Sequence, residues 1–289
     1  MSDQAQSLRE MVRKQEYVGN KQQPKVITIT SGKGGVGKSL LTVNLALALH
    51  QLGLKVLIID ADFGLANIDV MLGMPARYNL SHLLNKEHAM SEIVQEWHEG
   101  IQFISGGSGL NELLQMNEEQ LTQIIDNLLL LPAPIDMILC DTGAGVNDTV
   151  LRMAAASTET ILVTTPEPTA ILDAYALLKT LNQQKNMPTV RLIMNKVTSQ
   201  KEAENAINSF LRITKKYLTQ QQIEPLGSIS FDNDMAKSIK QQIPLLISQP
   251  KSAAAQNIVS IAATLVDLPT EKSSAGPLAK LFSRWLKQA

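Results

Sequence analysis

Residues Val26–Leu49 read VITITSGKGGVGKSLLTVNLALAL, and this stretch decides the fold. An apolar run, Val26–Thr30, precedes a glycine loop, and a helical pattern, Leu40–Leu49, follows it. Strand, glycine loop and helix form the context in which a G-x-x-x-x-G-K-[ST] match is informative. Gly32, Gly34, Gly35 and Gly37 leave the backbone free to turn its N–H groups, with that of Val36, onto phosphate oxygens. The helix that opens at Leu40 adds the partial positive charge of its N-terminus. Lys38 is placed to lie along the β- and γ-phosphates, and the Ser39 hydroxyl to ligate Mg²⁺. Lys33 is a second lysine, and an ordinary loop of this kind has no task for it.

Composition narrows the remaining choices. The chain has 289 residues, 44% of them hydrophobic but only 4% aromatic, so its core must be built from Leu, Ile, Val, Ala and Met. A formal net charge of −1 gives no overall attraction to nucleic acid, and sequence-specific nucleic-acid binding is not expected. One cysteine, Cys140, excludes an internal disulfide framework and a Cys-pair metal site. The four histidines are scattered without ligand spacing. A polar N-terminus shows no signal peptide, no apolar run approaches 18 residues, and a cytoplasmic protein is expected.

Along the chain, residues 1–24 form a polar arm, and residues 25–269 alternate between apolar strands and amphipathic helices. The strands are expected at Val26–Thr30, Lys55–Asp60, Ile101–Ile104, Asp136–Asp141, Thr160–Thr165, Val190–Asn195 and Gly227–Ser230. Helices are expected at Glu118–Leu131, Thr169–Lys185 and Lys201–Leu218, among others. Near-continuous apolar strands indicate a parallel sheet buried on both faces. The alternation predicts an α/β fold, a doubly wound, mostly parallel sheet flanked by helices in one domain. Such sheets bind ligands beyond the carboxyl ends of their strands, where the glycine loop falls. A linker, residues 270–277, leads to a last amphipathic helix over residues 278–289.

Two aspartates, Asp60 and Asp62, leave the second strand two residues apart and so point the same way. One such carboxylate can hold Mg²⁺ through its water shell while the other orients the attacking water. Asp141 ends the fourth strand, the usual place for an acidic residue that supports the metal, and Gly143 and Gly145 let the following segment move. The motif with its two lysines resembles the deviant Walker A ATPases of the MinD/ParA class. That resemblance implies that Lys33 reaches the nucleotide of the other subunit in an ATP-bound homodimer. It also implies that Asp62 positions the hydrolytic water, that Asp60 supports the metal, and that Asn195 reads the adenine edge. Asp232, in the loop after the last strand, is implied as a second contact to the base. The cofactors implied are ATP or ADP with Mg²⁺. No Lys-x-Asp guanine signature follows Asn195, which favours adenine.

Asp3-Gln4-Ala5-Gln6-Ser7-Leu8-Arg9 resembles the D-Q-A-x-x-L-R motif of flagellar-number regulators of the FlhG/FleN/YlxH type. Asp62–Leu72 (DFGLANIDVML) and Pro166–Lys179 (PEPTAILDAYALLK) are similar to the same group. The resemblance implies that Asp3, Gln4, Ala5, Leu8 and Arg9 stimulate a partner GTPase, FlhF, and that flagellar C-ring proteins are further partners. In the last helix, Leu278, Leu281, Phe282, Trp285 and Leu286 form one apolar stripe, with Lys280, Arg284 and Lys287 beside it. Such a stripe fits an anionic membrane surface. A division-site MinD is the neighbouring alternative, but it would not need the arm. A DNA-partition ATPase should offer a basic surface, and an iron–sulfur carrier should offer a cysteine pair. A nucleotide-gated scaffold with negligible turnover is the non-enzymatic reading.

Overall fold

The computed structural model describes residues 24–62, 67–98, 100–107, 127, 135–183, 188–218 and 222–267. The predicted arm, the expected helix at Glu118–Leu131 (residue 127 apart), the linker and the amphipathic C-terminal helix lie outside them.

Within the described residues, β1 (Lys25–Ser31) leads into α1 (Lys38–Gln51) and β2 (Val56–Ala61). Short helices follow as α2 (Ile68–Met71), α3 (Leu80–Leu84) and α4 (Met90–Ile93). Next come β3 (Gln95–His98), β4 (Ile101–Ile104), β5 (Met137–Ala144), α5 (Asp148–Ala156) and β6 (Glu159–Thr164). The chain continues through α6 (Pro168–Leu181), β7 (Thr189–Val197), α7 (Gln200–Tyr217) and β8 (Ile223–Ser230). It closes with α8 (Asn233–Gln241), α9 (Leu245–Ser248) and α10 (Ala253–Asp267).

The eight strands form one sheet in the order β3-β4-β2-β5-β1-β6-β7-β8. All pairings are parallel except β3 with β4. The sequence reading omits β3, because Gln95–His98 alternates half-buried and exposed residues and has no apolar run. β5 extends past Asp141 to Ala144, so the expected strand end at the acidic residue is three residues short. β8 starts at Ile223, earlier than expected, because Pro225 and Gly227 interrupt its apolar pattern.

β1 lies between β5 and β6, with Ile27, Ile29 and Val26 fully buried. α1 is apolar on nearly every side, and Leu41, Leu45 and Leu49 have no exposed surface. A helix of that composition must be covered all round. It is covered by the sheet on one side and by α10, whose Ile258, Ile261 and Leu265 join the same core cluster, on the other. Cys140 is fully buried in β5, with its Cα in register with Thr28 of β1 and Ile59 of β2. Burial, and then the neighbouring Asp141 charge, push its thiol up to about 12.

At the strand entrances, Lys25 lies 2.8 Å from Glu159, and Arg191 donates to Glu159 at 3.0 Å and also to Glu224. These charges on β1, β6, β7 and β8 neutralise one another. The opposite, carboxyl ends of β1, β2, β5 and β7 are left to the site described next.

Candidate nucleotide site

The loop between β1 and α1 is shaped by two left-handed glycines, Gly35 (φ 76°) and Gly37 (φ 94°). A side chain at either position would be strained, which explains the glycines there. Gly32 is constrained by space: a Cβ there would overlap the Asp173 carbonyl of α6. The loop therefore rests directly on the backbone of α6. Gly37 caps α1, whose first residue is Lys38.

Lys38 is buried, and its Nζ lies 3.5 Å from Asp141 Oδ1. Asp141 Oδ1 also accepts a bond from Thr42 Oγ1 at 2.9 Å. Desolvation raises the Asp141 pKa, while the Lys38 charge and the Ser39 side chain hold it down. Asp141 Oδ2 is buried without a hydrogen-bond partner. An orphaned carboxylate oxygen of that kind is costly and fits a hydrated cation beside the Ser39 hydroxyl. Ser39 and Asp141 thus suit Mg²⁺ held through the nucleotide and water.

Asp60 sits beside Asp141 in register across β2 and β5. Its carboxylate is engaged with the backbone: Oδ1 accepts from Asp62 N at 3.0 Å, and Oδ2 from Asn67 N at 3.0 Å and Ile68 N at 3.1 Å. Burial pushes its pKa up to about 7, Asp141 adds to the rise, and the backbone donors, led by Ile68, oppose it. Asp60 is therefore a brace that ties the backbone at Asp62 to that at Asn67 and Ile68. Asp62 faces the cavity and approaches Gly143.

The cavity holds about 490 Å³ and extends from the glycine loop, Ser39 and Leu40 toward Asn195 and Asp232. Its far end has an apolar wall of Met71, Phe231, Met235, Ala236 and Ile239. Phe231 is 59% exposed, an unusual position for a phenylalanine and a suitable one for a planar ligand. The sequence marks the loop only through Asp232 and does not assemble this wall, because Met71 comes from α2 and Met235, Ala236 and Ile239 from α8. Asn195 Nδ2 donates to Val36 O at 2.7 Å, and its Oδ1 accepts from Lys196 N. Asp232 caps α8 by accepting from Asp234 N at 2.9 Å.

Lys33 turns away from this cavity. Its Nζ donates to Glu167 Oε2 at 3.1 Å and to Thr169 Oγ1 at 2.9 Å, at the start of α6. Two exposed apolar residues, Val146 and Leu172, follow Gly145 and Thr169 closely in the chain. Gly145 N donates to Ser31 O at 2.9 Å, which ties the loop after β5 to the end of β1.

A mostly parallel sheet, a left-handed glycine loop at the carboxyl end of a central strand, a buried lysine and a buried aspartate beside it in β5 define a P-loop NTPase. The ParA family profile, described as NUBPL iron-transfer P-loop NTPase, matches residues 22–266, and the chain belongs to that family. Its activity at the level of the family is ATP hydrolysis. The chain is 31% identical over 269 residues to the antiactivator FleN of Pseudomonas aeruginosa, covering 93% of this chain and 96% of that protein. It is 37% identical over 252 residues to the flagellum site-determining protein YlxH of Helicobacter pylori, covering 86% and 84% respectively. The septum site-determining protein MinD of Pyrococcus horikoshii, solved with Mg-ADP, superposes with a TM-score of 0.69 at 24% identity. That match covers 87% of this chain and all of the MinD chain, and it carries the fold.

Proposed function

We propose that the protein is a Mg·ATP-dependent dimerising switch that sets flagellar number or placement. The observation that carries the dimer is Lys33. Its ammonium is held by Glu167 and Thr169 at the start of α6 rather than within its own phosphate loop, and Leu172 of the same helix is exposed. A lysine so placed can serve a phosphate presented by a second copy. ATP brings two copies together around Lys33, and loss of the γ-phosphate lets them part. Asp62 orients the attacking water, Lys38 and Lys33 neutralise phosphate charge, and Ser39 and Asp141 hold Mg²⁺. Asp60 acts on the same centre by fixing the segment that carries Asp62. Mg²⁺, when bound, supplies charge stabilisation at the transferred phosphoryl group.

The flagellar role rests on the likeness to FleN and YlxH and on the D-Q-A-x-x-L-R motif at Asp3–Arg9. In this reading the arm, through Gln4 and Leu8, stimulates the FlhF GTPase, and flagellar C-ring proteins are further partners. The helix with Leu281, Phe282 and Trp285 binds the inner face of the membrane, gaining avidity when two copies are joined. The domain limits, 25–269 for the ATPase and 278–289 for the helix, belong to the same proposal.

Sedimentation and liposome pelleting test it together. Mg·ATP should produce a dimer where Mg·ADP does not, and anionic vesicles should pellet the ATP form more strongly. Deletion after Ala275 should abolish pelleting while leaving dimerisation intact. A peptide of residues 1–20 should raise GTP hydrolysis by FlhF, and Gln4→Ala or Leu8→Ala should remove the effect. A protein that stays monomeric in Mg·ATP overturns the switch. A deletion strain with normal flagella but misplaced septa would favour the MinD-type alternative.

A further inference from the structure

The exit of β7 holds the glycine loop at two successive carbonyls. Asn195 Nδ2 donates to Val36 O at 2.7 Å, and Lys196 Nζ donates to Gly35 O at 2.7 Å. Lys196 has φ 59°, in the left-handed region where a lysine is disfavoured. The pairing of β7 with β8 also shifts register between Met194 and Val197. A bulge of this kind re-aims side chains, and strained backbone at a site persists only where its surroundings impose it.

The direction of each peptide follows from those bonds. A trans peptide is planar, and its C=O points opposite to the N–H of the next residue. Holding Gly35 O toward the end of β7 therefore turns Val36 N–H to the opposite side, and holding Val36 O toward Asn195 does the same for Gly37 N–H. These are two consecutive donors of the concave, anion-binding stretch of the loop. The glycines on either side of Val36 make the loop easy to bend, so its peptides would otherwise turn freely.

We infer that Lys196, which stands in the wall of the cavity, is a positioning residue for the phosphate site, one that aims the Val36 N–H through the Gly35 carbonyl. The inference rests on the nucleotide reading above. Its target is the part of the loop that cradles the α- and β-phosphates, which ATP and ADP share. Both nucleotides should therefore lose affinity by the same factor. A hydrogen bond from a charged donor at an exposed position corresponds to about tenfold.

The test uses the full chain and three variants, Lys196→Met, Lys196→Gly and Lys196→Arg, titrated with Mg·ADP and Mg·AMPPNP. Lys196→Gly is decisive, because glycine accepts the left-handed backbone and keeps or raises thermal stability. The expected result is about tenfold weaker binding of both nucleotides by the Met and Gly variants, with faster exchange of the Val36 and Gly37 amide protons. Lys196→Arg should restore most of the affinity. If the parent binds and both Met and Gly variants bind as tightly, the inference is overturned and the nucleotide reading stands. If the parent binds neither nucleotide, the nucleotide reading falls and the inference with it.

Discussion

Lys33 Nζ and Thr169 Oγ1 lie 2.9 Å apart, with Glu167 Oε2 at 3.1 Å from the same ammonium. The lysine is thus held by its own α6 while its side chain and that of Glu167 remain partly open to solvent. An exposed pair of this kind contributes about 0–1 kcal/mol, which a phosphate group from a second copy can readily exceed.

The two lysines should separate by function. Lys38→Ala should abolish nucleotide binding, whereas Lys33→Ala should retain most of it and fail to dimerise. Glu167→Gln should leave ADP affinity within about twofold and ease dimerisation slightly, since only a weak tether is lost. Equilibrium dialysis and sedimentation measure the two properties, and an ATP-dependent dimer of Lys33→Ala would contradict the assignment.

Asp62→Ala should bind ATP, hydrolyse it about 10²–10⁴-fold more slowly, and persist as a dimer. Its carboxylate faces the cavity next to Gly143 but makes no part of the phosphate loop. Single-turnover phosphate release checks this. Parental turnover in the variant would remove Asp62 from the chemistry.

Stability of the nucleotide-free protein should fall as pH rises from about 4 to about 7. Asp60 has a folded-state pKa raised to about 7 from 3.8, so the folded protein keeps a proton that the unfolded chain releases in this window. Its contribution is present below the unfolded value and is lost as pH climbs through the folded one, at up to about 1.4 kcal/mol per pH unit. The raised pKa of Asp141 acts with the same sign, so the two carboxylates titrate as a pair. Thermal midpoints at constant ionic strength should show this slope. It should be shallower in Asp60→Asn and shallower again with Mg·ADP, whose cation favours the ionised pair. An unchanged slope in Asp60→Asn would assign the effect elsewhere.

Gly32→Ala should destabilise the fold and weaken nucleotide binding together. The added methyl would meet the Asp173 carbonyl and the Ala174 amide of α6, which cannot rotate aside. Overpacking of this kind costs about 1–3 kcal/mol. Calorimetry should therefore show a midpoint several degrees lower, and parental stability in the variant would mean that α6 yields at little cost.

The sheet and its loop were legible because their signals are local. Continuous apolar strands and a fixed glycine spacing declare themselves over a few residues, and Lys38, Ser39 and Asp141 follow from position alone. The hydrogen-bond partners of Asp60 and Asn195 are not legible, since a contact to Ile68 N eight residues on, or to Val36 O 159 residues back, leaves no local pattern. The apolar wall at Phe231 and Ile239 is not legible either, because it is assembled from side chains of separate elements. The edge strand β3 has no burial on one face and hence no pattern to read.

Cys140, the chain's single thiol, lies at the middle of the sheet and ionises only near 12. A thiol reagent can reach it only when the strands on either side separate, so its rate of labelling clocks the opening of the sheet. While the protein remains folded, that sulfur is silent toward maleimides at neutral pH. A cysteine introduced at Val146 or Leu172 would then be the one reactive site per subunit. Spin labels or dyes for following the approach of two copies can therefore be attached without first removing the native residue.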